Sequence, residues 1–315
     1  MKNPFKYSSD NKRYKTWNYY LKKKFGQKVC KIPVSGNFTC PNRDGTKSLN
    51  GCVFCSGISH GENIRNTAMS ITKQLDIGKS ILSKKWPNSL FLPYFSYYSS
   101  TYGNLANIKS LYEEALKYQD VVGLCVATRA DCLSDNVCDY LSELNNKTNL
   151  YVELGLQTIH DNTANLLNRQ HSYQEFLNGY NKLTSRNIKV CIHIINSLPG
   201  ETKQMMIETA KTISKLNPFA IKIHMLYVAK GTILSTWYKN GQFKLMSREE
   251  YIETVCDQIE ILSPEIVIER LTGDCVKESL VAPIWSLKKV TILNDIDKEL
   301  VRRNSFQGCK LKQHV

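Results

Sequence analysis

The sequence predicts an α/β fold, a partial (β/α)6 barrel with a small C-terminal α/β extension, and three observations carry that expectation. Six β-prone runs alternate with helical periodicity between residues 29 and 227, the rhythm of a parallel sheet built from strand-then-helix units. Three cysteines, Cys40, Cys52 and Cys55, follow the first run, at the strand end where an α/β barrel carries its chemistry. Beyond Gly241 the alternation stops. Residues 29–240 are therefore expected to form the barrel, preceded by a basic aromatic segment at 1–28 and closed on one side by an extension at 241–315.

Taken in order, residues 12–28 interleave lysine and arginine with Tyr14, Trp17, Tyr19, Tyr20 and Phe25. Trp17, Leu21 and Phe25, spaced by four, share one helical face. Two readings fit: a helix docked on the barrel, or an RNA surface of stacking rings among cations. Val29 to Val34 is the first strand, and Ser70 to Trp86 a helix with Ile71, Leu75, Ile77, Ile81 and Leu82 as its apolar stripe. Further strands are expected at Leu90 to Tyr97, Val121 to Thr128, Leu150 to Leu156, Lys189 to Ile195 and Ala220 to Tyr227, with helices near 105–117, 134–145, 172–186 and 202–216. A helix from Ser247 to Leu262, a strand from Glu265 to Leu271 and a basic tail complete the chain.

The bulk numbers bound the function class. Apolar residues make up 42% of the 315, and no apolar run approaches the roughly 18 residues of a membrane span. The first thirty residues are polar and basic, without the apolar core of an export signal, so a reducing cytoplasmic setting is expected. The 42 Lys and Arg against 28 Asp and Glu leave a net charge of +14, which favours a polyanionic partner such as RNA.

Spacing makes Cys40, Cys52 and Cys55 a metal-ligand set, C-x11-C-x2-C. The short gap lets two thiolates point at one centre, and the longer loop brings the third. Three ligands suit an iron-sulfur cluster with one iron left open. Structural zinc needs a fourth ligand, which His60 could supply, and a disulfide is disfavoured by the odd count of eleven cysteines.

The residues around these cysteines, Cys-Pro-Asn-Arg-Asp-Gly at the first and Phe54 before the third, resemble those of the radical SAM superfamily. Within it the run is similar to the YhcC/YtqA-type branch, related to the catalytic subunit of Elongator. The resemblance covers roughly residues 4 to 309. It implies a four-iron four-sulfur cluster on Cys40, Cys52 and Cys55, with S-adenosylmethionine (SAM) chelating the open iron and Phe54 beside it. Where many members have a Gly-Gly-Glu turn for the methionine amine, this chain has Tyr94 to Tyr102, so hydroxyls such as that of Ser99 take its place in the expectation. Ala127-Thr128-Arg129-Ala130-Asp131 resembles the T-R-P-D turn of the Elongator-like branch, which makes Thr128, Arg129 and Asp131 cofactor candidates. By the same resemblance Gln157 and Arg169 contact SAM, the arginine at its carboxylate, with Glu153 and His171 as further positions.

His193 and His224 stand at corresponding places on neighbouring strands and would share the barrel interior. With Tyr97 they are the candidate catalytic residues, for substrate contact or proton transfer. The remaining cysteines are isolated and read as small buried hydrophobes, Cys275 being the one to watch. The expected function is reductive cleavage of SAM to a 5′-deoxyadenosyl radical that modifies tRNA, at the C5 side chain of a wobble uridine, for example carboxymethylaminomethyl to aminomethyl. The residues after 241 are too few for an acetyltransferase domain, so an acetyl-CoA step within this sequence is not expected. Expected partners are tRNA, an electron donor such as flavodoxin or ferredoxin, and a downstream methyltransferase; no membrane is expected. A radical SAM enzyme of a small metabolite and a zinc-stabilised RNA-binding protein are the alternatives.

Overall fold

The computed structural model describes residues 12–56 and 69–311, with Phe5 and Ser8; His60 and the last tail lysine lie outside these. Six parallel strands, β1 (Val29–Val34), β2 (Leu90–Phe95), β3 (Leu124–Thr128), β4 (Leu150–Gln157), β5 (Lys189–Asn196) and β6 (Ala220–Met225), lie side by side in chain order. Two residues, Val228–Ala229 (β7), pair antiparallel with Leu280–Ala282 (β9) in a small separate sheet. The run expected as a strand after Glu265 is β8 (Val267–Arg270), which pairs parallel with β6. The main sheet therefore has seven strands, one more than the six units of the sequence reading.

Helices begin where the sequence offers an oxygen to their orphan N–H groups. Thr16, Ser70, Asn104, Ser134, Ser172, Thr202, Thr232 and Ser247 each accept a backbone N–H at the start of α1 (Trp17–Phe25), α2 (Ile71–Ser83), α3 (Leu105–Leu116), α4 (Asp135–Lys147), α6 (Tyr173–Thr184), α7 (Lys203–Leu216), α8 (Ile233–Lys239) and α9 (Arg248–Ile261). The short α5 (Asp161–Leu166) lies between β4 and α6. The tail expected to be basic is largely a helix, α10 (Lys289–Arg302), packed on α9. Its charges are paired: Arg303 meets Glu299 and Asp257 at 2.6 Å each, and Lys310 meets Glu260 at 2.5 Å.

The sheet curls, and period-2 alternation stacks its inward side chains in rows. The lowest row is apolar, with Val29, Leu92, Cys125, Tyr151, Cys191, Ala220 and Val267 in contact with Trp17, Tyr20 and Phe219. Helix α1 is the plug of this floor: Trp17 meets Tyr151 edge-on at 5.0 Å and Tyr20 meets Phe219 at 4.9 Å. Of the two readings of this segment, the docked helix is the one observed, with Trp17 and Tyr20 half-buried against the floor. Above the floor runs a charged row of Lys31, Tyr94, Glu153, Lys222 and Glu269, and above that stand His193 and His224. Lys31 and Glu269 join the first and last strands of the open sheet by an ion pair.

Candidate active site at the barrel mouth

The cysteine loop leaves the end of β1 and is pinned from three sides. Cys40 carbonyl accepts the N–H groups of Arg43 (2.8 Å) and Asp44 (3.1 Å), and Cys55 N–H bonds Cys52 carbonyl at 2.9 Å, giving two tight turns that carry the thiols. Val53 N–H donates to Leu167 carbonyl (3.0 Å) and Leu234 N–H to Val53 carbonyl (2.9 Å), so the loop is held to the α5–α6 connection and to α8. Asn42, fully buried, donates to Asn168 carbonyl at 2.6 Å and lies 3.5 Å from the Cys52 thiol. Arg43 bonds the Cys55 carbonyl. It also packs where a side chain at Gly51 (φ +69°) would sit, which is why glycine stands there.

Burial, and then the neighbouring Cys55, push the Cys52 thiol up to about 11; Cys40 adds to the rise, while Arg129 and Asn42 act in the opposite direction. Cys55 and Cys40 thus both bear on the Cys52 thiol. Among the described residues no group of three or more His, Cys, Asp or Glu is placed to hold a single metal ion. A four-iron cluster asks for a different arrangement, one thiolate per iron. Three thiols on one pinned loop fit that donor set, with one iron left to an outside ligand.

Behind Phe54 the mouth opens into a cavity of about 160 Å³. Phe54, Gln157, His193, His224, Tyr227 and Asp274 line it with apolar Ile195 and Leu226. Gln157 reaches it through a bulge: the β4–β5 register shifts after Gly155, and Gln157 sits at φ +62°. The Gln157 amide nitrogen fills the space beside Gly155, 2.6 Å from where a Cβ would stand. The rings of His193 and His224 are 5.6 Å apart, as strand alternation predicts. Burial, then Cys275 and Cys55, raise the Tyr227 hydroxyl to about 12.

Several expected cofactor contacts are engaged elsewhere. Arg129 binds Asp131 through two 2.9 Å bonds, and Lys47 adds a third contact at 2.7 Å. Burial would raise the Asp131 carboxyl, but Arg129 overcomes it and holds it at about 2. The pair closes a turn, with Arg129 also donating to Arg169 carbonyl at 2.8 Å and lying 3.1 Å from His171 Nδ1. Arg169 is 1% exposed: its Nε donates to His171 carbonyl (2.9 Å) and its Nη1 to the carbonyls of Thr158 (2.7 Å) and Leu156. Arg169 thus clamps the backbone around the Gln157 bulge, leaving Nη2 outside any hydrogen bond and 3.5 Å from Asp161 Oδ1. Thr128 is buried against Thr101, their hydroxyls 2.6 Å apart. Ser99 is fully buried, its N–H bonded to Thr39 carbonyl at 3.2 Å, while its hydroxyl, the group expected at the cofactor, has no hydrogen-bond partner. Tyr97, expected as a catalytic candidate, is 7% exposed and does not line the cavity.

Glu153, expected at the cofactor, is instead the centre of the charged row. Its buried carboxylate receives Lys31 (2.5 Å), Tyr94 hydroxyl (2.6 Å) and Lys222, with His193 Nε2 at 2.8 Å. Lys31, Tyr94, Lys222 and Glu269 are the residues that sequence reasoning missed. A signal existed, since Lys31 and Lys222 each interrupt an otherwise apolar β-run at an inward position.

Family models agree with this architecture: one for the radical SAM superfamily matches residues 45–213, and one for the radical SAM C-terminal domain matches residues 218–302. The chain belongs to the radical SAM superfamily. The uncharacterised protein YtqA of Bacillus subtilis (strain 168) is 44% identical over 306 residues, covering 97% of this chain and 95% of that protein. A tRNA uridine(34) acetyltransferase of Methanocaldococcus infernus is 30% identical over 174 residues, 53% of this chain and 32% of that one, so the chain matches about a third of that enzyme's length. The solved structure of the archaeal M. infernus Elp3 lacking its N-terminus (1–46) superimposes with a TM-score of 0.67 at 19% identity, covering 89% of this chain and 64% of that one; the likeness is one of fold. Radical SAM membership implies a four-iron four-sulfur cluster and SAM. No helix among the described residues of this radical SAM protein is long and apolar enough to cross a membrane.

Proposed function

We propose that this radical SAM protein modifies tRNA, acting on the C5 side chain of a wobble uridine, for example by trimming carboxymethylaminomethyl to aminomethyl. The observation that carries the reading is the similarity over half the chain to the tRNA uridine(34) acetyltransferase, supported by the net charge of +14. Cys40, Cys52 and Cys55 hold the cluster, while Gln157 and Phe54 flank the bound SAM at the cavity. Bound there, cluster and SAM would supply the radical chemistry, hydrogen-atom abstraction from the substrate. The chain's own residues position and shield. Phe54, Ile195 and Leu226 keep water from the cavity, Gln157 offers an amide to ribose hydroxyls, and His193 and His224 face the substrate group. An electron donor such as flavodoxin or ferredoxin reduces the cluster, and a methyltransferase takes the product further.

Two measurements test the proposal. The nucleosides of tRNA from a strain lacking the gene should contain the untrimmed uridine; an unchanged profile refutes the assignment. After anaerobic reconstitution, 5′-deoxyadenosine should form with wild type, rise with tRNA, and vanish in Cys55→Ala. Formation indifferent to tRNA keeps the radical chemistry and rejects the RNA.

A further inference from the structure

The charged row below the cavity is costly to keep. Lys31, Glu153, Lys222 and Glu269 come from four strands and are buried with side-chain exposures of 17%, 0%, 4% and 5%. Lys222 lies 3.0 Å from Glu269 and Lys31 pairs with it as well, so two cations and two carboxylates neutralise each other. Such a buried set adds little net stability over apolar residues of the same size. Its geometry converges on one atom pair. The Glu153 Oε2 that faces His193 also accepts from Tyr94 and Lys222, while Oε1 takes Lys31.

An ionised carboxylate has no proton to give. Burial would raise the Glu153 carboxyl, but Lys222 and Lys31 outweigh it and hold it well below the usual range. Against an ionised oxygen 2.8 Å away, a hydrogen on the ring nitrogen is favoured electrostatically over a lone pair. His193 is 20% exposed and lines the cavity; its buried Nε2 lies 2.8 Å from Glu153 Oε2, a close polar contact that is off-line for a hydrogen bond.

We infer that Glu153 is a positioning residue that fixes His193 as the Nε2–H tautomer, so that Nδ1 is a bare acceptor for an N–H or O–H group of the substrate. The inference rests on the proposed use of this cavity, where the amine of a uridine side chain is such a donor. Burial and then Lys222 hold His193 below its ordinary value, against the opposing pull of Glu153 and Glu269, so the ring is neutral at pH 7 and able to accept. The groups facing it are Glu153 from β4, Tyr94 from β2, Lys31 from β1, Lys222 and His224 from β6, and Glu269 from β8. Lys31, Tyr94, Lys222 and Glu269 act through Glu153, keeping it ionised and immobile.

The test reads the tautomer directly, by nitrogen NMR of the full-length protein labelled with 15N-histidine, with His193→Gln assigning the signal. Wild type at pH 7 should show a neutral His193 protonated at Nε2. In Glu153→Gln, whose amide can donate to the ring, the Nδ1–H form should appear. With cluster and SAM loaded, that variant should keep substrate-free 5′-deoxyadenosine formation while kcat/KM for the RNA falls roughly tenfold or more. A wild-type His193 that is charged at pH 7, or protonated at Nδ1, overturns the inference even if the variant does not fold. An unchanged tRNA profile in the deletion strain beside the expected tautomer would reject the RNA assignment and leave the dyad standing.

Discussion

At the scale of single residues, the site divides into groups that face the cavity and groups that hold the wall. Gln157, Phe54, His193 and His224 are of the first kind; Arg129, Asp131, Arg169 and Thr128 are of the second. Motif spacing named both sets alike, because a motif marks residues that belong to a site without saying which way a side chain turns. His171 makes the holding role measurable. It is 6% exposed beside Arg129, and burial, then Arg169 and Arg129, lower its ring to about 3. The ring is thus neutral when folded but titrates near 6.5 when unfolded. Its contribution is complete above pH 6.5 and is lost as pH falls from there towards 3, at about 1.4 kcal/mol per unit. Urea unfolding of wild type and His171→Gln at pH 7 and pH 5 should show the stability difference shrink by about 2 kcal/mol at the lower pH. A difference independent of pH would mean that the ring takes up a proton in the folded state.

At the scale of elements, the sequence was most legible where local chemistry decides the outcome. Helix starts fall at their capping Ser, Thr or Asn, and strand cores at their β-branched runs, because a cap or a pleat needs only near neighbours. Strand ends were less legible. β3 begins at Leu124 rather than Val121, where Val121 makes an isolated bridge to Phe91 and Gly123 turns at φ +159°. A Cβ on Gly123 would sit 2.2 Å from the Asn149 carbonyl, a contact with the next strand that no local pattern announces. Helix α6 meets the 130–132 turn in the same way: at Gly179 a Cβ would stand 2.4 Å from the Ala130 carbonyl. Gly179→Ala gains about 1 kcal/mol of helix propensity but must push α6 off the turn that carries Arg129 and Asp131. A net loss of about 2 kcal/mol is expected in thermal unfolding. Unchanged or raised stability would show that the turn yields.

At the scale of the whole molecule, parallel strands give the sheet two unlike ends. The cysteine loop and cavity lie at the C-terminal ends, and α1 with Lys22, Lys23 and Lys24 in its last turn lies under the N-terminal ends. An RNA that delivers a nucleotide to the cavity meets the mouth and leaves the floor untouched. Replacing the three lysines by alanine should therefore change tRNA affinity by less than about twofold and leave the salt slope unaltered. A slope smaller by about two or more would show phosphates wrapping the floor. The radical SAM class, the strand-helix rhythm and the inward facing of His193 and His224 were legible in the sequence alone, because each depends on residue type at short spacing or on alternation along one strand. Three features were decided only by the tertiary structure: the joining of β8 to the main sheet, the clamp made by Arg169, and the meeting of Lys31, Tyr94, Glu153, Lys222 and Glu269. Those depend on which side chains a curled sheet brings within a few ångströms across as many as 238 residues of chain, a distance over which no local pattern carries information.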